Sequence, residues 1–446
     1  MRDIILAAII LIGTVWAFKR PYIGILTWTW LSLMNPHRQS WHLDAYPVAA
    51  IVGGATLIGL FITRDRRQFF VAAPAVMLLL FSLWICVTYG LSAGSADAYT
   101  MLVRVLKINF MIFVAMMLLY TRQHIILLVW VLVGSLGFYG VKGGAFTLAT
   151  GGSYRVWGPP DSFIGGNNEI ALALIIIIPL MYFLRSLYTK PWIRHAFLLA
   201  MALTAIAAVG SQSRGALLAI VAMALLLWTR VNQKAVFGAL IIMVALAIVS
   251  FMPDSWHSRM GTISEYKQDD SAQGRINAWH MTWNLASDRF FGGSFDIYNS
   301  ANFEQYAPDP VDIHAAHSIY FQVLGEHGFV GLALFLLMWF LTWRWAGWLR
   351  VNAKSSPETE WASVLGSMIQ VSLIGYAVGG SFLSLAYFDL PYNLLVLAVI
   401  TRRWVEHYQA GKNLDEPLTA VEARTRRRRK TAPNDSPQNA AMKKPG

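Results

Sequence analysis

The chain has 446 residues, 56% of them hydrophobic and only 13% charged, with a mean hydropathy of +0.48. Soluble globular chains carry about 25% charged residues, so this composition excludes a soluble domain. The net charge of +12 invites a nucleic-acid partner. Most Lys and Arg residues, however, sit at the ends of apolar runs or in the C-terminal stretch, the pattern that sets membrane topology, and no nucleic-acid partner is expected.

In chain order, apolar runs fall at roughly 4–18, 22–34, 46–63, 72–90, 105–120, 124–140, 168–184, 196–210, 214–230, 235–252, 318–343, 361–382 and 390–404, about thirteen in all. Most reach or approach the ~20 residues that cross a hydrocarbon core. None alternates with the period of a barrel strand, so the spans are helices. The expected fold is all-α, a polytopic membrane protein of about 12–13 transmembrane helices. The first run has Arg2 as its only basic flank and no small-x-small cleavage site, which reads as a retained span. The single cysteine, Cys86, lies inside an apolar run. It excludes an internal disulfide and a thiolate metal site and reads as a small buried hydrophobe.

Basic residues give the orientation. Lys19-Arg20, Arg64/Arg66/Arg67, Arg122, Arg185/Lys190/Arg194, Arg230/Lys234, Arg344/Arg350/Lys354 and Arg402-Arg403 occupy every second loop, which makes those loops cytoplasmic. Loops 35–45, 91–104, 141–167, 211–213, 253–317 and 383–389 then face outside. Two of them, 141–167 and 253–317, are too long for connectors, and long ordered loops are usually functional. The chain divides into transmembrane helices 1–252 with the external loop 141–167, an external loop 253–317 with an amphipathic helix, C-terminal spans 318–404, and a polar tail 405–446. The tail carries the block Arg424-Thr-Arg426-Arg-Arg-Arg-Lys430. Its composition reads as a disordered cytoplasmic segment, able to touch anionic lipid or simply to anchor the last span.

Several cations on the external side run against that trend. Arg104 and Lys107 enter a span, Arg155 sits in the first long loop, Arg214 opens a span in Ser211-Gln-Ser-Arg214-Gly215, and Arg275 lies in the second long loop. One such arginine could snorkel or pair with a carboxylate. A set of them at one face points to an anionic ligand at headgroup level, and guanidinium forks suit phosphate. Arg275, Trp279 and Trp283 recur every four residues and so share a helix face. That helix is expected along the outer membrane surface, with Arg275 turned inward.

The stretch His314–Gly331 sits where the second long loop meets an apolar run. A neutral imidazole at such a wet boundary suits a general base. From a helix starting near His317, Tyr320, Leu324 and His327 share a face, whereas Glu326 falls on the far side and reads as structural. Gly325, Gly328 and Gly331 form a small-residue strip for close helix packing. His314 and His317, with Asp309 and Asp312 nearby, lack the spacing of a zinc set. There is no Gly-rich phosphate loop with a lysine and no nucleophile elbow. No metal and no cofactor are expected, and the residues alone leave open which histidine is the base.

Ser213-Arg214-Gly215, Gly274-Arg275-x-x-x-Trp279 and His317-x-x-Tyr320…Leu324-x-Glu326-x-Gly328 resemble the signature of the O-antigen ligase and polymerase superfamily. Asn35-Pro-His-Arg38, Tyr139-Gly-Val-Lys142-Gly-Gly, Arg155-Val-Trp157-Gly-Pro-Pro and Asn167-Asn168-Glu169 are similar to the O-glycosylation ligases associated with exosortase systems, over most of the chain up to about residue 405. The resemblance implies a membrane glycosyltransferase fold and a metal-independent oligosaccharide ligase. Its donor would be a glycan on undecaprenyl pyrophosphate and its acceptor a hydroxyl, on protein Ser/Thr or on lipid A-core. The site would face the periplasm from a bacterial inner membrane, with the C-terminus cytoplasmic. Carried onto this chain, Arg214 and Arg275 grip the pyrophosphate and His317 is the base. Arg155, Arg104, Lys107, His314, Tyr320 and Trp279 join them as substrate-binding candidates. The family's His-Asn pair reads His317-Ser318 here. A polymerase would carry the same residues, and a lipid or sugar transporter is the alternative from another class.

Overall fold

Each of the apolar runs folds as an α-helix. The computed structural model describes residues 2–63, 71–92, 94–261, 270–412 and 414–415. Among these lie α1 (Arg2–Lys19), α2 (Pro21–Met34), α3 (Val48–Ile62), α4 (Ala73–Gly90), α5 (Ala96–Leu118), α6 (Arg122–Ala149), α7 (Asn167–Ser186) and α8 (Pro191–Gly210). The chain continues through α9 (Arg214–Arg230), α10 (Lys234–Phe251), α11 (Asp254–Gly261), α12 (Asp270–Asp288), α13 (Ser300–Tyr306), α14 (Ile319–Asn352), α15 (Glu360–Gly380) and α16 (Asp389–Gln409). The described residues contain no strand. Eight helices, α4 to α8, α10, α14 and α15, are long and apolar enough to cross a membrane by themselves. Of the other helices that fill expected spans, α2, α3 and α9 have 14, 15 and 17 residues, and α1 and α16 carry charges toward their ends.

The helices interlock around α16, which is buried from Asp389 to Thr401 between α14, α15, α5 and α6. α10 contributes no buried residue and packs on α9. Cys86 is exposed on α4 rather than buried. Arg64, Arg66, Arg67 and the basic block at 424–430 lie outside the described residues.

Several boundaries differ from the hydropathy reading, for one reason. α5 begins at Ala96, where the Ser95 hydroxyl caps it by accepting from the Ala98 amide at 3.1 Å. Arg104 and Lys107 therefore stand inside the helix rather than at its entrance. α6 runs on to Ala149, through Lys142 and two glycines. Gly144 lies so close to the backbone of Leu203 that no side chain fits between α6 and α8. Charges mark the end of a span only when they would face lipid; where a cavity or an aqueous edge receives them, helical hydrogen bonding continues. α16 likewise extends to Gln409, past the boundary at 405.

α14 is broken at Gly328 (φ 66°, ψ −173°), a conformation essentially reserved for glycine. The break leaves the carbonyls of the preceding turn without their helical donors. Three external donors replace them. Gly293 N–H donates to Gly325 O at 2.8 Å, Ser294 N–H to Glu326 O at 2.7 Å, and Trp84 Nε1–H to His327 O at 2.8 Å. A Cβ on Gly328 would collide with the Phe290 carbonyl, and one on Gly292 (φ 69°) would lie 2.7 Å from Gly328 N. The expected strip Gly325–Gly328–Gly331 thus includes a hinge that docks the segment after α12 onto α14. Glu326 is buried beside it, accepting from Tyr387 Oη–H and from Gln322 Nε2 at 3.4 Å. His327 is equally buried, with Nδ1 2.7 Å from Thr88 Oγ1.

Candidate active site

The short turn between α8 and α9 builds one wall. Gln212 adopts φ 58°, and Ser213 caps α9 by accepting from the Ala216 amide at 3.3 Å. Three neighbouring segments lock onto this turn. Asn167 Nδ2 donates to Ser211 O at 2.8 Å, Arg259 Nε to Gln212 O at 2.9 Å, and Arg155 Nε to Gln212 Oε1 at 3.3 Å. Gly215 presses against Phe382, which follows α15; a Cβ there would lie 3.1 Å from Phe382 Cβ. Arg214 is thereby set on the rim of a small cavity of about 130 Å³, together with Arg259 of α11 and Arg275 of α12. Asn168, Ser213, Ser271 and Phe382 also line it.

α12 carries the extended segment with the two histidines on the same side. Asn277 Nδ2 donates to the carbonyls of Asp309 (2.8 Å) and Asp312 (3.0 Å), and its Oδ1 accepts from the Asp309 amide at 2.9 Å. Trp279 Nε1–H donates to Ala316 O at 2.7 Å, and its ring stacks on Phe321 at 5.0 Å and 8°. His314 lies directly over Gly274, where a Cβ would come within 2.7 Å of Nδ1, so the glycine before Arg275 makes room for the imidazole. His314 Nδ1 is 2.7 Å from Asp312 Oδ1.

His317 follows, just ahead of α14, with φ 43°. For a non-glycine residue this costs about 1–2 kcal/mol, and such strain concentrates at functional sites. Its imidazole is half-buried. Burial first, then the charges of Arg275 and His314, hold its pKa down at about 4. The ring is therefore neutral near pH 7 and can accept a proton, while Arg275 stays cationic beside it.

The structure thus brings Arg214, Arg275, His314 and His317 together and adds Arg259, which the sequence reading passed over. Arg259 was findable only as one more cation on the expected external side; nothing in the Trp256-His-Ser-Arg259 spacing singles it out. Asn277, the clamp on the segment before the histidines, was missed as well. The other candidates take different places. Arg155 is exposed and braces Gln212. Trp279 holds the segment at Ala316, and Trp283 is exposed with its edge against Phe329. Tyr320 donates its hydroxyl to Ala377 O of α15 at 2.9 Å. Arg104 and Lys107 line a separate and larger cavity with Arg38. Among the described residues, no three His, Cys, Asp or Glu side chains are grouped to hold a metal ion.

Fold and site together define a multi-pass helical membrane protein that sets a triple-arginine cavity beside a neutral imidazole. Residues 199–336 match the family model described as O-antigen ligase, and residues 1–189 match a second, described as a family of unknown function. No curated protein matches the chain. The first match supports a membrane glycosyltransferase of the O-antigen ligase/polymerase type. Arg214, Arg259, Arg275, His314 and His317 fall inside the first matched region, and Arg104, Lys107 and Arg155 inside the second.

Proposed function

We propose that this enzyme transfers a glycan from undecaprenyl pyrophosphate to an acceptor hydroxyl, without a metal or cofactor, on the periplasmic face of a bacterial inner membrane, with its C-terminus in the cytoplasm. The observation that carries the reading is the convergence of Arg214, Arg259 and Arg275 on one cavity, with the Arg275 charge acting on His317.

The acceptor oxygen attacks the anomeric carbon. The new glycosidic C–O bond forms as the bond from that carbon to the pyrophosphate oxygen breaks. The acceptor proton passes to His317, and the electron pair leaves on undecaprenyl pyrophosphate, where the guanidinium groups stabilise the developing charge. The low basicity of His317 fits this order of events. Burial, and after it the charges of Arg275 and His314, oppose protonation; a bound pyrophosphate offsets the charge part and raises the imidazole toward the range where a general base works best. Attack opposite the leaving group gives inversion. The acceptor is a hydroxyl on protein Ser/Thr or on lipid A-core; a polymerase, which shares these residues, is the second reading.

The test is transfer by the purified protein in proteoliposomes, supplied with an undecaprenyl-pyrophosphate glycan and a hydroxyl acceptor. The reading expects a new covalent product and release of undecaprenyl pyrophosphate. Counterflow of labelled glycolipid with no covalent product would replace it with a transporter.

A further inference from the structure

Arg104 and Lys107 stand one helical turn apart on α5, eight and eleven residues from its start at Ala96. At ~1.5 Å per residue they lie about 12 and 16 Å along the helix axis, inside a segment long and apolar enough to cross a membrane. Cations at such depth need an anion. The Arg104 guanidinium lies over the Phe163 ring, 3.8 Å from its centroid, and feels the charge of Asp389. Lys107 makes no hydrogen bond or ion pair among the described residues. Both face a cavity of about 790 Å³ between α2, α3 and α5, which also receives Arg38. Asp44 is the carboxylate in its lining, and Asp161 reaches Arg38 at 3.9 Å.

The shape of the cavity narrows the ligand. Its wall is largely apolar, and at Leu57 and Phe110 it meets a second cavity of about 500 Å³ between α3, α4 and α5. Among the described residues, that groove is lined by apolar side chains such as Phe61, Val114 and Met117. A free anion would use the cations and leave the groove empty; a neutral hydrocarbon would use the groove and leave the cations unpaired. A molecule with a phosphate at one end and a long hydrocarbon chain satisfies both.

We propose that this second site binds a phosphorylated lipid, its phosphate between Arg104 and Lys107 and its chain in the groove past Leu57 and Phe110. The site is separate from the Arg214–Arg259–Arg275 cavity and does not rest on the glycosyl-transfer reading. An isoprenoid monophosphate and a diacyl phosphate share the required chemistry.

The test is binding by the full-length purified protein in a neutral detergent. The probes are a polyprenyl monophosphate, phosphatidic acid, their uncharged counterparts polyprenol and diacylglycerol, and inorganic phosphate. At least one phosphorylated lipid should bind about tenfold or more tightly than its uncharged counterpart, the scale of one or two charge-assisted hydrogen bonds. The stronger phosphorylated probe identifies the chain type. Arg104→Gln with Lys107→Gln should remove that preference, and Arg104→Lys with Lys107→Arg should keep it. Leu57→Trp, which narrows the groove while keeping both cations, should weaken the lipid and leave inorganic phosphate unchanged. Equal binding of charged and uncharged lipid, inorganic phosphate competing as well as the lipid, or loss of binding in Arg275→Ala rather than in the Arg104/Lys107 variant would each overturn the proposal.

Discussion

The two cationic cavities differ less in charge than in what holds the charge. Around Arg214, Arg259 and Arg275 the space is about 130 Å³, the arginines spring from a capped turn and from α11 and α12, and an imidazole lies alongside. Around Arg104 and Lys107 the space is about 790 Å³, both cations rise from one long span, and the nearest continuation is an apolar groove. A small polar pocket beside a base suits a bond-breaking step on a phosphate leaving group. A roomy amphiphilic cavity suits holding a lipid. Arginine count would not separate the two; the rigidity and polarity of the supports do.

The sharpest break between the cavities comes from His317. Replacing it with Ala should lower the transfer rate by about 10²–10⁴, the range for loss of a general base, with no change in the thermal midpoint of the detergent-solubilised protein. A comparable rate loss in the Arg104→Gln/Lys107→Gln variant would erase the distinction between them.

Arg275→Ala should weaken donor binding by about 10- to 100-fold, measured with the lipid-linked glycan. It should also move the pH profile. Burial and the charges of Arg275 and His314 hold His317 at about 4, so the acid limb of kcat/KM lies near pH 4. Removing one cation favours the protonated ring, which shifts that limb to higher pH. An acid limb that stays in place would separate Arg275 from the imidazole.

Gly328→Ala tests the break in α14 on which the segment after α12 docks. A side chain there meets the Phe290 carbonyl and the backbone must leave a region closed to alanine. The expected loss is about 2–3 kcal/mol of stability, read as a lower unfolding midpoint. The smallest effect belongs to Trp279→Phe, which keeps the stacking on Phe321 but loses the hydrogen bond to Ala316 O. About 1 kcal/mol is expected, and a phenylalanine variant as weak in transfer as His317→Ala would give Trp279 a larger role than holding the segment.

Much of this was legible in the residues because span length and hydropathy are local properties. Each apolar run became a helix, and the stretches around Arg214, Arg275 and His317 were found to converge. What stayed hidden depends on neighbours distant in sequence. Arg104 and Lys107 were grouped with the other external cations because sidedness is readable along the chain and the partition between two cavities is not. Gly328 looked like one member of a packing strip, since a strip and a hinge use the same residue at the same spacing. Only the docking of Gly293 and Ser294 on the freed carbonyls separates them. Arg259 and Asn277 act through contacts with Gln212 and with Asp309 and Asp312, which no periodicity encodes.

The most direct test of the central claim is the equilibrium affinity of an undecaprenyl-pyrophosphate glycan for the His317→Ala and Arg275→Ala proteins, measured side by side with the wild type. If the arginine cavity holds the pyrophosphate and His317 acts only on the acceptor proton, His317→Ala binds with wild-type affinity and Arg275→Ala binds more weakly. Wild-type affinity in Arg275→Ala, or a loss in His317→Ala as large as that in Arg275→Ala, would contradict it.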